Sequence, residues 1–218
     1  MAAMTATTWL LLAVFLAVAA LDWAAVHSRS KALEYACKPG CMLALIGAAA
    51  ALDPADESAR TALVVALALS TVGDVFLMLR GESSTLFAAG LTAFLLAHVA
   101  YVVAFWLDGV EPGGLGAGLV VALALVAVVG RPTVAAVRAG QERELAGPVA
   151  AYVGVISLMA LSAVGTLDPV AIAGALLFAF SDAVIARDRF VAPGAAWAPL
   201  TIIVTYHLAQ ALLVTSFV

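Results

Sequence analysis

The sequence predicts an all-α polytopic membrane protein: a bundle of about eight transmembrane helices with both termini on the non-cytoplasmic side. Three observations predict it. The chain is 65% hydrophobic, with a mean hydropathy of +1.13 and only 11% charged residues, whereas soluble domains run near 45–50% apolar and about 25% charged. Apolar stretches of spanning length alternate with short polar breaks, and a hydrocarbon core of about 30 Å takes roughly 20 helical residues to cross. Lysine and arginine fall almost wholly on alternate breaks, as the positive-inside rule requires of a real set of spans.

The first apolar stretch, near 6–26, starts without a basic n-region and is long enough to be a retained helix rather than a cleaved signal peptide. The second, near 33–52, carries Glu34, Tyr35 and Lys38 at its start and holds Pro39-Gly40 between Cys37 and Cys41. Those two cysteines share a helix face. With no other thiol in the chain they are no zinc site and read as small packing residues. The third and fourth stretches lie near 61–79 and 85–107. The fifth, near 115–137, is interrupted by Arg131-Pro132, and the last three lie near 147–165, 169–187 and 196–217. The breaks HSRSK, DPADESAR, RGESS, DGVEPGG, RAGQERE, LDP and RDRFVAPG carry loop signals. Residues 1–218 thus read as a single integral membrane domain with no room for a separate soluble one. Trp9, Trp23, Trp106 and Trp197 fall near span ends as interface anchors, and Asp22 beside Trp23 is expected at the interface too. His27 reads as an ordinary loop residue.

With eight spans the breaks alternate sides. Arg29, Lys31, Arg80, Arg138, Arg143, Arg187 and Arg189 lie on one side, with Lys38 and Arg131 near the same ends; the other side holds only Arg60. The first side is therefore expected to be cytoplasmic, which suits a bacterial cytoplasmic (inner) membrane. Net charge −4 and scattered basic residues, with no aromatic-basic platform, exclude a nucleic-acid partner. The partners expected are membrane lipids and a lipid-like substrate. Oligomeric state is not readable.

Two aspartates interrupt apolar segments: Asp74 in LALSTVGDVFLML and Asp182 in GALLFAFSDAVIA. A charged residue at a helix centre costs roughly 2.5–3.5 kcal/mol on insertion scales and marks a functional site by default. Asp74 lies six residues before Arg80 and Asp182 five before Arg187, so both sit roughly 8–9 Å inside the cytoplasmic end at about 1.5 Å per residue. Lys38 and Tyr152 share that depth on two further helices. His98 and Tyr101, with Phe94 on one face of the fourth span, and Tyr206, His207 and Gln210 on the eighth are expected nearer mid-membrane or beyond. Asp74 and Asp182 are 108 residues apart, and His98 and His207 are 109 apart. That spacing suggests a weak parallel repeat of 1–110 against 111–218.

Two close carboxyls in a low dielectric cannot both ionise comfortably, which leaves one acid and one base at neutral pH. That pairing suits a bond that needs protonation and then water. Gly73 and Ser181, each just before an aspartate, permit close helix approach or a local hydrogen bond. Ser70 and Ser181 have no GxSxG elbow around them, and three dispersed histidines without HExxH argue against a zinc hydrolase. Lys38 either snorkels toward headgroups or binds a substrate phosphate. The rival readings are a proton-coupled transporter of a small or lipid-like solute, an intramembrane aspartyl protease and a non-catalytic lipid-binding protein. The protease's GxGD motif is only half met, because Thr71 occupies the first glycine position.

The segments KPGCML, LSTVGDVFLML, FAAGLTAFLLAHVAY and GALLFAFSDAVIARDRF, with the late Tyr206 and Gln210, resemble the YhhN / TMEM86 family over nearly the whole chain. The motifs are GD followed by LM, then F-x3-H-x2-Y, then F-x2-SD, in that order. The resemblance implies an eight-helix lysoplasmalogenase, which cleaves the vinyl ether of a lysophospholipid to a fatty aldehyde and glycerophosphoethanolamine or glycerophosphocholine. Its catalytic carboxylates match Asp74 and Asp182. Vinyl ethers hydrolyse by protonation at carbon followed by water capture of the oxocarbenium ion, which requires no metal or organic cofactor. Lys38 is then expected to meet the phosphate, with Tyr152 and Tyr206 orienting the site and His98, Tyr101, Ser181, His207 and Gln210 around the substrate. Hydrolysis of another lysolipid is the alternative closest to this one.

Overall fold

A computed structural model describes residues 4–79, 81 and 83–218. Arg80, on which the orientation and depth readings partly rest, lies outside the described residues. Among the described residues there is no strand, and eight helices follow one another: α1 (Ala6–His27), α2 (Lys31–Ala50), α3 (Glu57–Leu79), α4 (Ser84–Asp108), α5 (Pro112–Ala139), α6 (Arg143–Gly165), α7 (Pro169–Val191) and α8 (Ala198–Thr215). All but α2 are long and apolar enough to cross a membrane. Helix α2 falls short because Lys31, Glu34 and Lys38 crowd its first half.

The caps follow from local chemistry. The side chains of Thr5, Ser83 and Asp168 accept backbone N–H bonds at the starts of α1, α4 and α7, and Asp56 accepts from Ser58 and Ala59 ahead of α3. Each cap supplies a partner to an otherwise orphaned donor. Two helices carry a wider π turn. In α5 it covers Val126–Gly130, immediately before Arg131-Pro132. Proline has no N–H and its ring crowds the carbonyl four residues back, and a π turn relieves that crowding without ending the helix. The second π turn, Arg187–Val191, extends α7 through residues whose composition reads as a loop.

Neighbour contacts trace a ring, α1–α2–α3–α4–α6–α7–α8 and back to α1, with α5 packed outside on α6. Small residues set the tight crossings. A Cβ on Gly118 of α5 would stand 2.5 Å from the Leu161 carbonyl oxygen of α6. One on Gly90 of α4 would stand 2.8 Å from the Leu77 side chain of α3. Such approaches drive helix association where no hydrophobic effect acts between helices. Across the ring, α4 and α8 meet: the Tyr101 hydroxyl donates to Gln210 Oε1, and Phe105 stacks on Phe217 at 5.6 Å. Large side chains such as Leu10, Leu43, Val120 and Val128 face outward, as a lipid-exposed surface requires.

Gly118→Val forces α5 off α6 and is expected to cost about 1–3 kcal/mol of stability. Gly116→Ala, with open space at its Cβ, is expected to be silent. Thermal unfolding of the detergent-solubilised variants compares the two.

Candidate functional site

Asp74 is a buried residue of α3, and its Oδ2 accepts a 2.6 Å hydrogen bond from the Tyr206 hydroxyl of α8. Asp182 of α7 has a matching partner in Tyr152 of α6, whose hydroxyl donates to Oδ2 at 2.5 Å. His98 of α4 brings Nε2 to 3.7 Å from the same Asp182 oxygen, while its Nδ1 lies 2.6 Å from the Phe94 carbonyl. A ring so oriented donates from Nδ1 and turns Nε2 toward the carboxyl. Each aspartate thus holds its own tyrosine.

An aromatic wall adjoins Tyr206 and His98. Phe178 of α7 contacts His98 at 4.6 Å, Tyr206 at 5.4 Å and Phe94 at 6.1 Å, all edge to face. Phe94 in turn meets Tyr206 at 5.9 Å. The glycine before Asp74 makes room for it, since a Cβ on Gly73 would stand 2.6 Å from the Phe94 ring. Phe178 opens the F-x2-SD motif, but sequence reasoning gives it no role at the site. A signal for it exists, because it lies one helical turn before Asp182, the same spacing that sets Phe94 before His98.

A cavity of about 80 Å³ opens beside Asp182. Tyr152 and Ile156 of α6, Phe94 and Leu91 of α4, Thr133 of α5 and Phe190 of α7 are among its walls. The lining is mostly apolar with one carboxyl, the composition expected of a site that takes an apolar ligand and acts on one of its bonds. A larger hollow of about 320 Å³ between α1 and α8 has walls such as Leu12, Phe15 and Leu212 and no titratable group.

The structure brings Asp74, Asp182, His98, Tyr152 and Tyr206 together. Depth along the helices sets His98 and Tyr206 apart from the carboxyls, and the structure corrects this: a side chain of this length spans about a helical turn, roughly 5.4 Å, and both reach the aspartates. Tyr101 and Gln210 bond each other near this group, with Tyr101 6.3 Å from Phe178. The Ser181 hydroxyl donates to the Ile202 carbonyl and ties α7 to α8. Lys38 pairs with Glu34 at 3.4 Å on α2, not with an aspartate.

His207 turns the other way, toward α1. Its Nδ1 accepts a 3.1 Å bond from Trp23 Nε1, and its Nε2 lies 3.9 Å from Asp22 Oδ2. Asp22 is therefore not interfacial. It is fully buried, and among the described residues neither carboxyl oxygen has a hydrogen-bond partner. The reason is azimuthal: Thr8, Leu12, Phe15, Ala19, Asp22 and Ala25 form the inward stripe of α1 at helical spacing. Trp23 likewise serves as a donor inside the bundle, while Trp9, Trp106 and Trp197 remain exposed at helix ends. Among the described residues no three His, Cys, Asp or Glu side chains gather as a metal site.

The fold and its buried carboxyls define a polytopic helical membrane protein with a polar site inside the bundle. Residues 33–217 match the model of the YhhN family, and the chain belongs to that family. Human lysoplasmalogenase TMEM86B is 37% identical over 152 residues, which cover 69% of this chain and 61% of that protein. Lysoplasmalogenase TMEM86A of Bos taurus is 31% identical over 168 residues, 72% of this chain and 65% of that protein. The chain thus spans less than two thirds of the length of these curated relatives. No solved structure matches it.

Tyr206→Phe leaves the buried Asp74 carboxyl without that donor. The expected cost is about 1–3 kcal/mol, read as a lower thermal midpoint; an unchanged midpoint would show that Asp74 has another donor at hand.

Proposed function

We propose that this protein hydrolyses the vinyl ether bond of lysoplasmalogens, releasing a fatty aldehyde and glycerophosphoethanolamine or glycerophosphocholine. The observation that carries this reading is Asp182 on the wall of an apolar cavity, held by Tyr152 and faced by His98. Two relatives named lysoplasmalogenase support it.

In this mechanism the lipid enters laterally, with its vinyl ether in the cavity and its tail running out between helices. The Asp182 carboxyl donates its proton to the outer alkenyl carbon, and the electron pair of the double bond forms the new C–H bond. The adjacent carbon and oxygen share the resulting positive charge. The ionised Asp74, with Tyr206 on its Oδ2, favours that cation across the aromatic wall, whose ring faces add their own attraction for a cation. Water adds to the cationic carbon and yields its proton to a carboxylate. The hemiacetal then breaks its bond to the glycerol oxygen, which takes up a proton as the aldehyde leaves. The balance is one lipid and one water. Preorganised groups in a dry site supply the electrostatic part, and proton transfer by placed carboxyls supplies the rest.

The orientation belongs to the same proposal. The basic breaks face the cytoplasm, both termini face away from it, and the membrane is the bacterial cytoplasmic membrane. The runner-up is a proton-coupled carrier, favoured by the buried, unpartnered carboxyl of Asp22 beside His207.

Purified protein given a lysoplasmalogen is expected to release aldehyde with no ion gradient present. Asp74→Asn and Asp182→Asn, checked for monodispersity, should each lose about 10²- to 10⁴-fold in rate. Chelators should leave the rate unchanged. Full activity in both variants would remove the carboxyl mechanism, and ion-gradient-dependent uptake without aldehyde would move the assignment to the carrier.

A further inference from the structure

The π turn at the end of α7 places Arg189 on the rim of the Asp182 cavity. Its guanidinium carbon lies 4.0 Å above the Phe87 ring and 5.7 Å from the Phe190 ring, and both rings are walls of that cavity. The same guanidinium makes a two-pronged bond to Glu142 of the α5–α6 connection: Nε to Oε2 at 3.0 Å and Nη2 to Oε1. Both side chains remain partly open to the surroundings. An ion pair that caps an apolar cavity is a specific chemical object, because its two charges are those of a zwitterion with the signs exchanged.

We propose that Arg189 and Glu142 are the headgroup site for a zwitterionic lysophospholipid: Arg189 takes the phosphate and Glu142 takes the ammonium. This rests on the reading that the cavity receives the ether bond of such a lipid. The planar fork of arginine matches a phosphate's oxygens two at a time, and the carboxylate next to it is the natural partner of an ethanolamine or choline cation. The lipid exchanges one ion pair for two and leaves no charge unmatched. An anionic headgroup such as phosphoglycerol satisfies Arg189 but brings no cation to Glu142, which is left unpaired, so the pair selects against it.

The spacing agrees. Arg189 follows Asp182 by seven residues on α7, at roughly 10 Å of rise, and its ring contacts set it at the cavity. Five single bonds separate the ether oxygen from phosphorus in a lysophospholipid, and an extended chain of that length spans roughly 6 Å. The aspartate and arginine side chains cover the remainder. Lys38, the cation that its residue type and depth single out for phosphate, is held by Glu34 on α2, a helix that contributes no residue to this cavity wall.

Binding of three uncleavable 1-alkyl lipids by the full chain in detergent tests the site: lysophosphatidylcholine, lysophosphatidylglycerol and the phosphate-free alkylglycerol. Arg189→Ala should weaken both phospholipids by roughly ten- to a hundredfold and leave alkylglycerol unchanged. Glu142→Gln should weaken the choline lipid and erase its advantage over the glycerol lipid. The exchange Glu142→Arg/Arg189→Glu restores an ion pair and should not restore phospholipid binding. Wild-type binding by the exchanged protein, or equal loss of all three lipids in both single variants, would make the pair a mere staple and overturn the proposal. Aldehyde release by wild type is scored separately. Release without headgroup discrimination overturns this site alone; discrimination without release overturns the hydrolase reading and leaves the site standing.

Discussion

The cost of keeping a carboxyl group inside hydrocarbon governs the architecture of this protein. Water cannot repay that cost in the bundle, so another helix must. Asp74 on α3 is met by a hydroxyl from α8, and Asp182 on α7 by a hydroxyl from α6. The first joins residues 132 positions apart in sequence, and the second ties consecutive helices together. Removing either carboxyl from this arrangement leaves a tyrosine hydroxyl buried without its acceptor, which carries its own penalty. The polar groups therefore specify which helices face inward, a choice that lipid-soluble surfaces alone leave open.

Close packing makes those bonds reachable. Gly73 lets Phe94 press on α3 directly beside Asp74, and Gly90 lets α3 and α4 approach at the same level. The aromatic wall of Phe94, Phe178 and Tyr206 is thus a product of missing side chains as much as of present ones. The π turn of α5 has a similar standing. It passes Arg131-Pro132 without breaking the helix and keeps Val129 and Thr133 on the cavity wall.

Much of this architecture is legible in the sequence. Hydropathy and polar breaks locate the eight helices to within a few residues, because a helix in a bilayer has to be long and apolar. Asp74 and Asp182 stand out for the same reason. What the count of residues along a helix cannot supply is azimuth and reach. It gives depth only, which separates Tyr206 and His98 from the carboxyls they touch and puts Asp22 at the interface when it lies on the buried stripe of α1. That stripe is readable as a helical period, but a position near a span end points the other way. Arg189 is not legible as a site residue because RDRF has the composition of a loop. Its place on a π-helical extension of α7 depends on contacts with α5 and the α5–α6 connection.

The separation of the two carboxyls has a chemical consequence. Carboxyls in direct contact share one proton and titrate as a unit. Here each aspartate is engaged by its own tyrosine, and Phe178 touches both Tyr206 and His98. Each carboxyl then exchanges its proton beside its own tyrosine. The proposed reaction, which first delivers a proton to carbon and then accepts one from water, uses two such carboxyls, since a single shared proton would leave no independent base. The rings of Phe94, Phe178 and Tyr206 pack edge to face at this level of the bundle, and the proposed mechanism gives them a second use, because a ring face attracts a cation where leucine would only pack.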